Sequence, residues 1–320
     1  MIAGLFIDGW AHRNDKPETF FTPWHGILYS GFIASSVWML RVLRSHQKPG
    51  TAWRDSIPVG YGLRSIGVAV FGAGAMADLV WHQVFGIEAD IEALLSPTHL
   101  VLLTGGLLMA AGPIASTLRR EADRQQPTWA SAGPVVGTVA FVLALLQFFV
   151  MYASPYDYGK YDSDYQAAVS RSGWLANEVL TDGIASALLF SILVAVAVNF
   201  VVRTVDPPRG SFVVLLVAPA VLQTVLTSFD TSARLLGPAV ATVFAEFTWS
   251  WLRIRRTVLR TAAWVAWLTL ITNYGILAGV ALQDRVTWSV HMWAGLPVLC
   301  ALFAGLLTVA VNVPAQPTRS

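Results

Sequence analysis

The chain has 320 residues, of which 55% are hydrophobic and only 12% charged, with a net charge of +2 and a mean hydropathy of +0.57. Soluble domains carry roughly 25% charged residues, so the composition excludes an ordinary soluble domain and identifies an integral membrane protein whose first partner is the lipid bilayer. The small net charge, with no basic patch interleaved with aromatics, excludes a nucleic-acid partner.

In chain order, the N-terminus shows neither a basic n-region nor a small-residue cleavage site, so no cleaved signal peptide is expected. Residues 1–12 suit a partial helix too short to cross. Nine apolar segments follow, each near the ~20 residues a bilayer needs. They are 25–43, 63–85, 98–118, 132–153, 176–202, 211–229, 236–252, 258–282 and 287–312. The expected fold is an all-α polytopic membrane bundle of about nine transmembrane helices. Small residues in FGAGAMAD (71–78) fit close helix packing, because a phosphate loop needs a preceding strand. The Tyr- and Asp-rich segment 154–174 reads as a polar outer loop forming an interfacial aromatic belt. Glu178, Asp182 and His291 sit near that same face, and Glu246 lies deeper. Cys300, the single cysteine, cannot form an intramolecular disulfide.

Lys and Arg are distributed asymmetrically between the connections. Those after the first, third, fifth and seventh segments hold fourteen: Arg41, Arg44, Lys48, Arg54, Arg64, Arg119, Arg120, Arg124, Arg203, Arg209, Arg253, Arg255, Arg256 and Arg260. The N-terminal segment and the alternate connections hold six: Arg13, Lys16, Lys160, Arg171, Arg234 and Arg285. The bias puts the N-terminus outside and the C-terminus in the cytoplasm, in a membrane read as a bacterial inner (plasma) membrane.

Four of the six histidines fall in two matching motifs. Asp8 and His12 are four apart, and His25 follows in FTPWH. Asp78 and His82 are four apart, Glu88 follows, and His99 opens the next apolar run after Ser96, Pro97 and Thr98. A four-residue spacing on a helix puts both side chains on one face. Under the charge-derived topology both motifs gather at the extracytoplasmic boundary. The residues expected to bind metal are Asp8, His12, His25, Asp78, His82, Glu88 and His99. Imidazole nitrogen and carboxylate oxygen without thiolate suit copper(II), zinc or non-haem iron. A closed structural zinc site takes four protein ligands, whereas one Asp and two His leave coordination positions open. Haem on His82 and His99 leaves Asp78 without a role. Hydrogen-bonded structural Asp–His pairs and a proton relay are the remaining alternatives.

These residues resemble the C subunit of the copper membrane monooxygenases, the particulate methane and ammonia monooxygenase family. Its first site has the spacing of Asp8, His12 and His25 and ends in a sequence like FTPWH. Its second site resembles HQVFGIE (His82 to Glu88) followed by SPTH, which contains Pro97 and His99. Two features depart from that family: Asp78 stands where it has Asn, and the connector from Glu88 to Pro97 is about three residues longer. The resemblance covers about residues 5–115 and nothing in 120–320. The expected division is therefore a metal-motif domain over 1–118 and an additional membrane bundle over 119–320.

The resemblance implies an oxidoreductase subunit. Copper at Asp78, His82 and His99, the catalytic set, would activate dioxygen and hydroxylate a small apolar substrate arriving from lipid. It also implies assembly with other membrane subunits, or with further copies of the chain. The motifs alone leave open non-catalytic metal storage, delivery or transport, and an assembly role.

Overall fold

The computed structural model describes residues 1–16, 21–58, 60–86, 90–119, 128–161, 168 and 170–312. Regular structure among the described residues is entirely helical. Among the described residues, seven helices are long and apolar enough to cross a membrane. The chain divides into two compact units, Met1–Phe149 with Thr204–Pro208, and Val150–Arg203 with Arg209–Ser320.

The first unit holds α1 (Ile2–Arg13), α2 (Pro23–His46), α3 (Tyr61–Phe85), α4 (Asp90–Leu95), α5 (Pro97–Leu118) and α6 (Trp129–Phe149). At ~1.5 Å per residue α1 reaches about 18 Å, short of a crossing. It lies close against α2, because a side chain at Gly4 would come within 2.7 Å of the Leu28 Cα. α3 buries Gly67, Phe71, Gly74 and Asp78, positions that share one helix face. That face meets α5. A Cβ on Gly105 would sit 2.6 Å from the Phe71 backbone nitrogen, so the two backbones approach as only glycine permits. Asp78 is thus carried on the stripe that packs against α5 and is aimed at the start of that helix.

The second unit holds α7 (Gly173–Thr204), α8 (Ala218–Val225), α9 (Leu236–Ile254), α10 (Val258–Gln283) and α11 (Val290–Asn312). Buried amides tie its long helices together. Asn199 donates to the Thr308 hydroxyl over 2.9 Å and Asn273 to the Ser191 hydroxyl over 2.9 Å. Phe212, Trp249 and Trp264 form an aromatic cluster with centroids 5.6 to 6.1 Å apart.

The helices of this unit depart from the expected spans. Where 211–229 was expected to cross, a π-helical turn (Val213–Val217) leads into α8, which ends at Val225. Ser228 and Phe229 adopt φ of +54° and +67°, and Phe229 N–H bonds back to the Thr224 carbonyl over 2.7 Å. This left-handed stop ends the helix early. The expected span 236–252 is a 19-residue helix that falls short of the others in apolarity. Its Glu246 carboxylate accepts the Gly210 and Phe212 backbone N–H groups over 3.0 and 3.1 Å, which caps the preceding helix start.

The compact units divide after Phe149, and α6 packs with α5. In segment 154–174, Tyr156 and Tyr161 are fully buried rather than interfacial. Arg234 donates to the carbonyls of Pro155 and Asp157 over 2.8 and 2.7 Å, and Tyr161 packs edge-on against Trp288. Burial raises both phenols well above the usual tyrosine range.

Candidate metal centre

Each motif is assembled from the end of one helix and the beginning of another. Pro97 is the first residue of α5 and Ser96 its N-cap, the Ser hydroxyl accepting the His99 N–H over 3.4 Å. A proline at the first helical position and a hydroxyl cap before it are standard helix-start chemistry. They put His99 in the first turn of α5, facing the last turns of α3. Pro23 is likewise the first residue of α2, and Thr22 takes the N-cap position without a side-chain cap bond.

The structure brings Asp78, His82 and His99 together. One ligand atom from each lies within 4.8 Å of the others. His82 Nε2 is 3.4 Å from Asp78 Oδ2, and His99 Nε2 is 3.5 Å from Asp78 Oδ1. Asp78 is 3% exposed, and the Thr98 hydroxyl donates to its Oδ1 over 2.7 Å.

The other nitrogen of each imidazole is anchored to backbone. His82 Nδ1 faces the Gly86 carbonyl over 3.2 Å, and His99 Nδ1 contacts the Ala93 carbonyl. A carbonyl can only accept, so Nδ1 carries the hydrogen in both rings. In the neutral ring Nε2 then presents a lone pair. Two lone pairs and a carboxylate would therefore converge, an arrangement that repels itself until a cation stands between them. Doubly protonated rings would instead hydrogen-bond to the carboxylate, at Nε2–O distances longer than the usual 2.7–3.2 Å, and the Asp78→Asn substitution in metal-free protein separates the two cases. Ligands held roughly 2.0–2.2 Å from one ion stand roughly 3.0–3.4 Å apart at 90–110°, close to what is seen. The donor set fits a divalent cation, and a backbone-anchored imidazole is the usual outer support of a metal-bound histidine.

Local structure accounts for both anchors. Gly86 ends α3 with φ +85°, a left-handed conformation that glycine adopts without strain. Its carbonyl turns back toward His82. Ala93 lies in the last turn of α4, where carbonyls lack an intrahelical partner.

Asp8, His12 and His25 also converge within 4.8 Å. His25 Nε2 is 3.1 Å from Asp8 Oδ1, His12 Nε2 is 3.8 Å from Asp8 Oδ2, and the Thr22 hydroxyl lies 3.1 Å from His25 Nδ1. Here the chemistry is less constrained. A hydroxyl donates or accepts, so the His25 tautomer is not dictated, and 3.1 Å suits a plain Asp–His hydrogen bond. Where Thr98 supports Asp78, the corresponding residue after the proline is Trp24, which has no hydroxyl.

Among the described residues, neither cluster includes Glu178, Asp182 or His291. Glu88 lies outside the described residues. Glu178 and His291 are exposed, and Asp182 pairs with Lys160. Thr98, the supporting residue not singled out from the sequence, occupies the open position of the Pro-x-His pattern. That position on the first turn of α5 was the signal for it.

Thr98→Val keeps the shape and removes the hydroxyl. Loss of such a second-layer contact lowers metal affinity about 10–100-fold. Competition with a chelator checks this, with Thr104→Val as the control, because that hydroxyl bonds only within its own helix. Equal affinity in both variants would mean that the Asp78 carboxylate does not hold an ion.

Comparison with protein-family models, with curated proteins and with solved structures finds no match to this chain.

Proposed function

We propose that the chain is a membrane-embedded metal protein that binds copper through Asp78, His82 and His99 and acts as a monooxygenase-like subunit. Asp8, His12 and His25 are assigned a second ion on the same reading. The observation that carries metal binding is the pair of backbone-anchored imidazoles whose Nε2 atoms converge on one buried carboxylate. The choice of copper, rather than zinc or non-haem iron, rests on the resemblance to the copper membrane monooxygenase C subunit over residues 5–115.

When bound, copper supplies the one-electron chemistry toward dioxygen that protein side chains lack. The chain's own residues hold and shield the ion. Asp78 offsets part of its charge, His82 and His99 complete a three-ligand set that leaves positions open, and Thr98 fixes the carboxylate. The apolar helices around the site limit water, and the bilayer delivers a small apolar substrate.

On this reading the clusters face the extracytoplasmic side of a bacterial inner membrane, as the distribution of Lys and Arg implies. The expected nine spans count α8 with its π turn, and α9, as two crossings. Counting both or neither leaves the parity, and hence the sidedness of the clusters, unchanged.

Membranes containing the copper-loaded chain and an electron donor should form hydroxylated product from a small apolar substrate only when oxygen is present. Retention of that activity in a His82→Ala, His99→Ala double variant would remove the proposed role. A second reading, metal storage or delivery, is favoured by Asp78 itself, because a carboxylate in place of Asn tightens binding. It predicts metal binding without oxygen consumption.

A further inference from the structure

At the opposite end of the first unit, α2, α3, α5 and α6 leave a cavity of ≈ 660 Å³ between them. Arg64 lies 14 residues before Asp78 on α3, about 21 Å along the helix axis. The cavity therefore sits most of a ~30 Å hydrocarbon layer away from the Asp78 cluster.

Among the described residues its ionisable lining is basic: His46 comes from the last turn of α2, Arg64 from the first turn of α3 and Arg119 from the C-cap of α5, with no acidic residue among them. The Nε atom of Arg64 is buried and has no hydrogen-bond partner among the described residues. A desolvated donor without an acceptor is destabilising, so this guanidinium is suited to an anion supplied from outside. The position of Arg64 is well defined. A side chain on Gly112 would meet its Cβ at 3.3 Å and the Gly60 carbonyl oxygen at 2.9 Å, so the arginine stem lies across a tight glycine crossing. The remaining walls include Pro113 and Pro134, which give the cavity an apolar side as well as a cationic one.

We propose that this cavity is a phosphate-binding site in which Arg64 and Arg119 take the phosphate oxygens of an anionic phospholipid headgroup or of a free phosphate. Arginine suits both, because its planar fork matches phosphate oxygens. The volume lies within the roughly 300–1,000 Å³ of small-molecule sites. Basic pockets between transmembrane helices are a recurring mode of anionic headgroup recognition. The apolar wall favours the phospholipid. The proposal does not depend on the metal reading.

Native mass spectrometry of the full chain in detergent tests it, with phosphatidylglycerol, phosphatidylcholine of the same acyl chains, and inorganic phosphate as probes. Phosphatidylglycerol should be retained in preference to phosphatidylcholine. Arg64→Gln and Arg119→Gln should each weaken it about fivefold, and together about thirtyfold, the effect expected of one and two cationic contacts near a membrane surface. Arg64→Lys with Arg119→Lys should restore most of the binding. Ala130→Trp, an exposed position on the cavity wall, should block it with both arginines in place. Displacement of phosphatidylglycerol by millimolar inorganic phosphate would support the site and make its ligand soluble. Equal retention of the two lipids, or undiminished phosphatidylglycerol binding in both the double Gln variant and Ala130→Trp, would overturn the proposal.

Discussion

Replacing His82 and His99 together by alanine should remove one metal equivalent per chain and leave the equivalent at Asp8, His12 and His25. Structural zinc sites with four ligands are worth roughly 10–16 kcal/mol, or about 2.5–4 kcal/mol per ligand. Losing two ligands then weakens the ion by about four to six orders of magnitude, at roughly 1.4 kcal/mol for each factor of ten. Both imidazoles belong to the first unit, one near the end of α3 and one in the first turn of α5. Neither fills the glycine-lined contact between those helices, so the fold should persist. Elemental analysis of the purified variant against the parent chain reads the result. An unchanged metal content would show that the retained ion sits elsewhere.

Asp78→Asn should separate the metal reading from a merely structural one through two effects of opposite sign. The carboxylate is 3% exposed within a membrane-spanning helix, and Thr98 is the neutral group seen to bond it. In metal-free protein the substitution removes a buried charge whose neighbouring lone pairs oppose it, so the melting temperature should rise. In metal-loaded protein it removes an anionic ligand. Affinity should fall by on the order of 10²–10³, beyond the 10–100-fold of an outer contact, and the stabilisation contributed by bound ion should fall with it. If Asp78 instead pairs with cationic imidazoles, the metal-free protein should lose stability on the same substitution. Paired melting curves with and without copper, in one detergent, distinguish the two cases by sign alone.

Much of this site was legible because helix geometry is local. A four-residue Asp–His spacing places two side chains on one face wherever it is helical. A hydroxyl cap followed by proline places the next histidine in the first turn of the following helix. The small residues of FGAGAMAD signalled close packing, and Gly74 does lie on the face that meets α5. What was not legible is backbone. The carbonyls of Gly86 and Ala93, which decide which imidazole nitrogen carries hydrogen, leave no side-chain signature.

The same holds for the second unit. Ser228 and Phe229 end α8 in a left-handed conformation that neither residue type advertises, so a run of apolar residues looked long enough to cross. Tyr156 and Tyr161 read as interfacial because their hydroxyls are polar, yet the Arg234 contacts fold their segment inward.

The central claim is that Asp78, His82 and His99 share one ion. Anomalous scattering recorded at the metal edge from copper-loaded crystals tests it most directly. A peak is expected roughly 2.0–2.2 Å from Nε2 of both histidines and from an Asp78 oxygen. A fully loaded protein with no peak among those three side chains would contradict it.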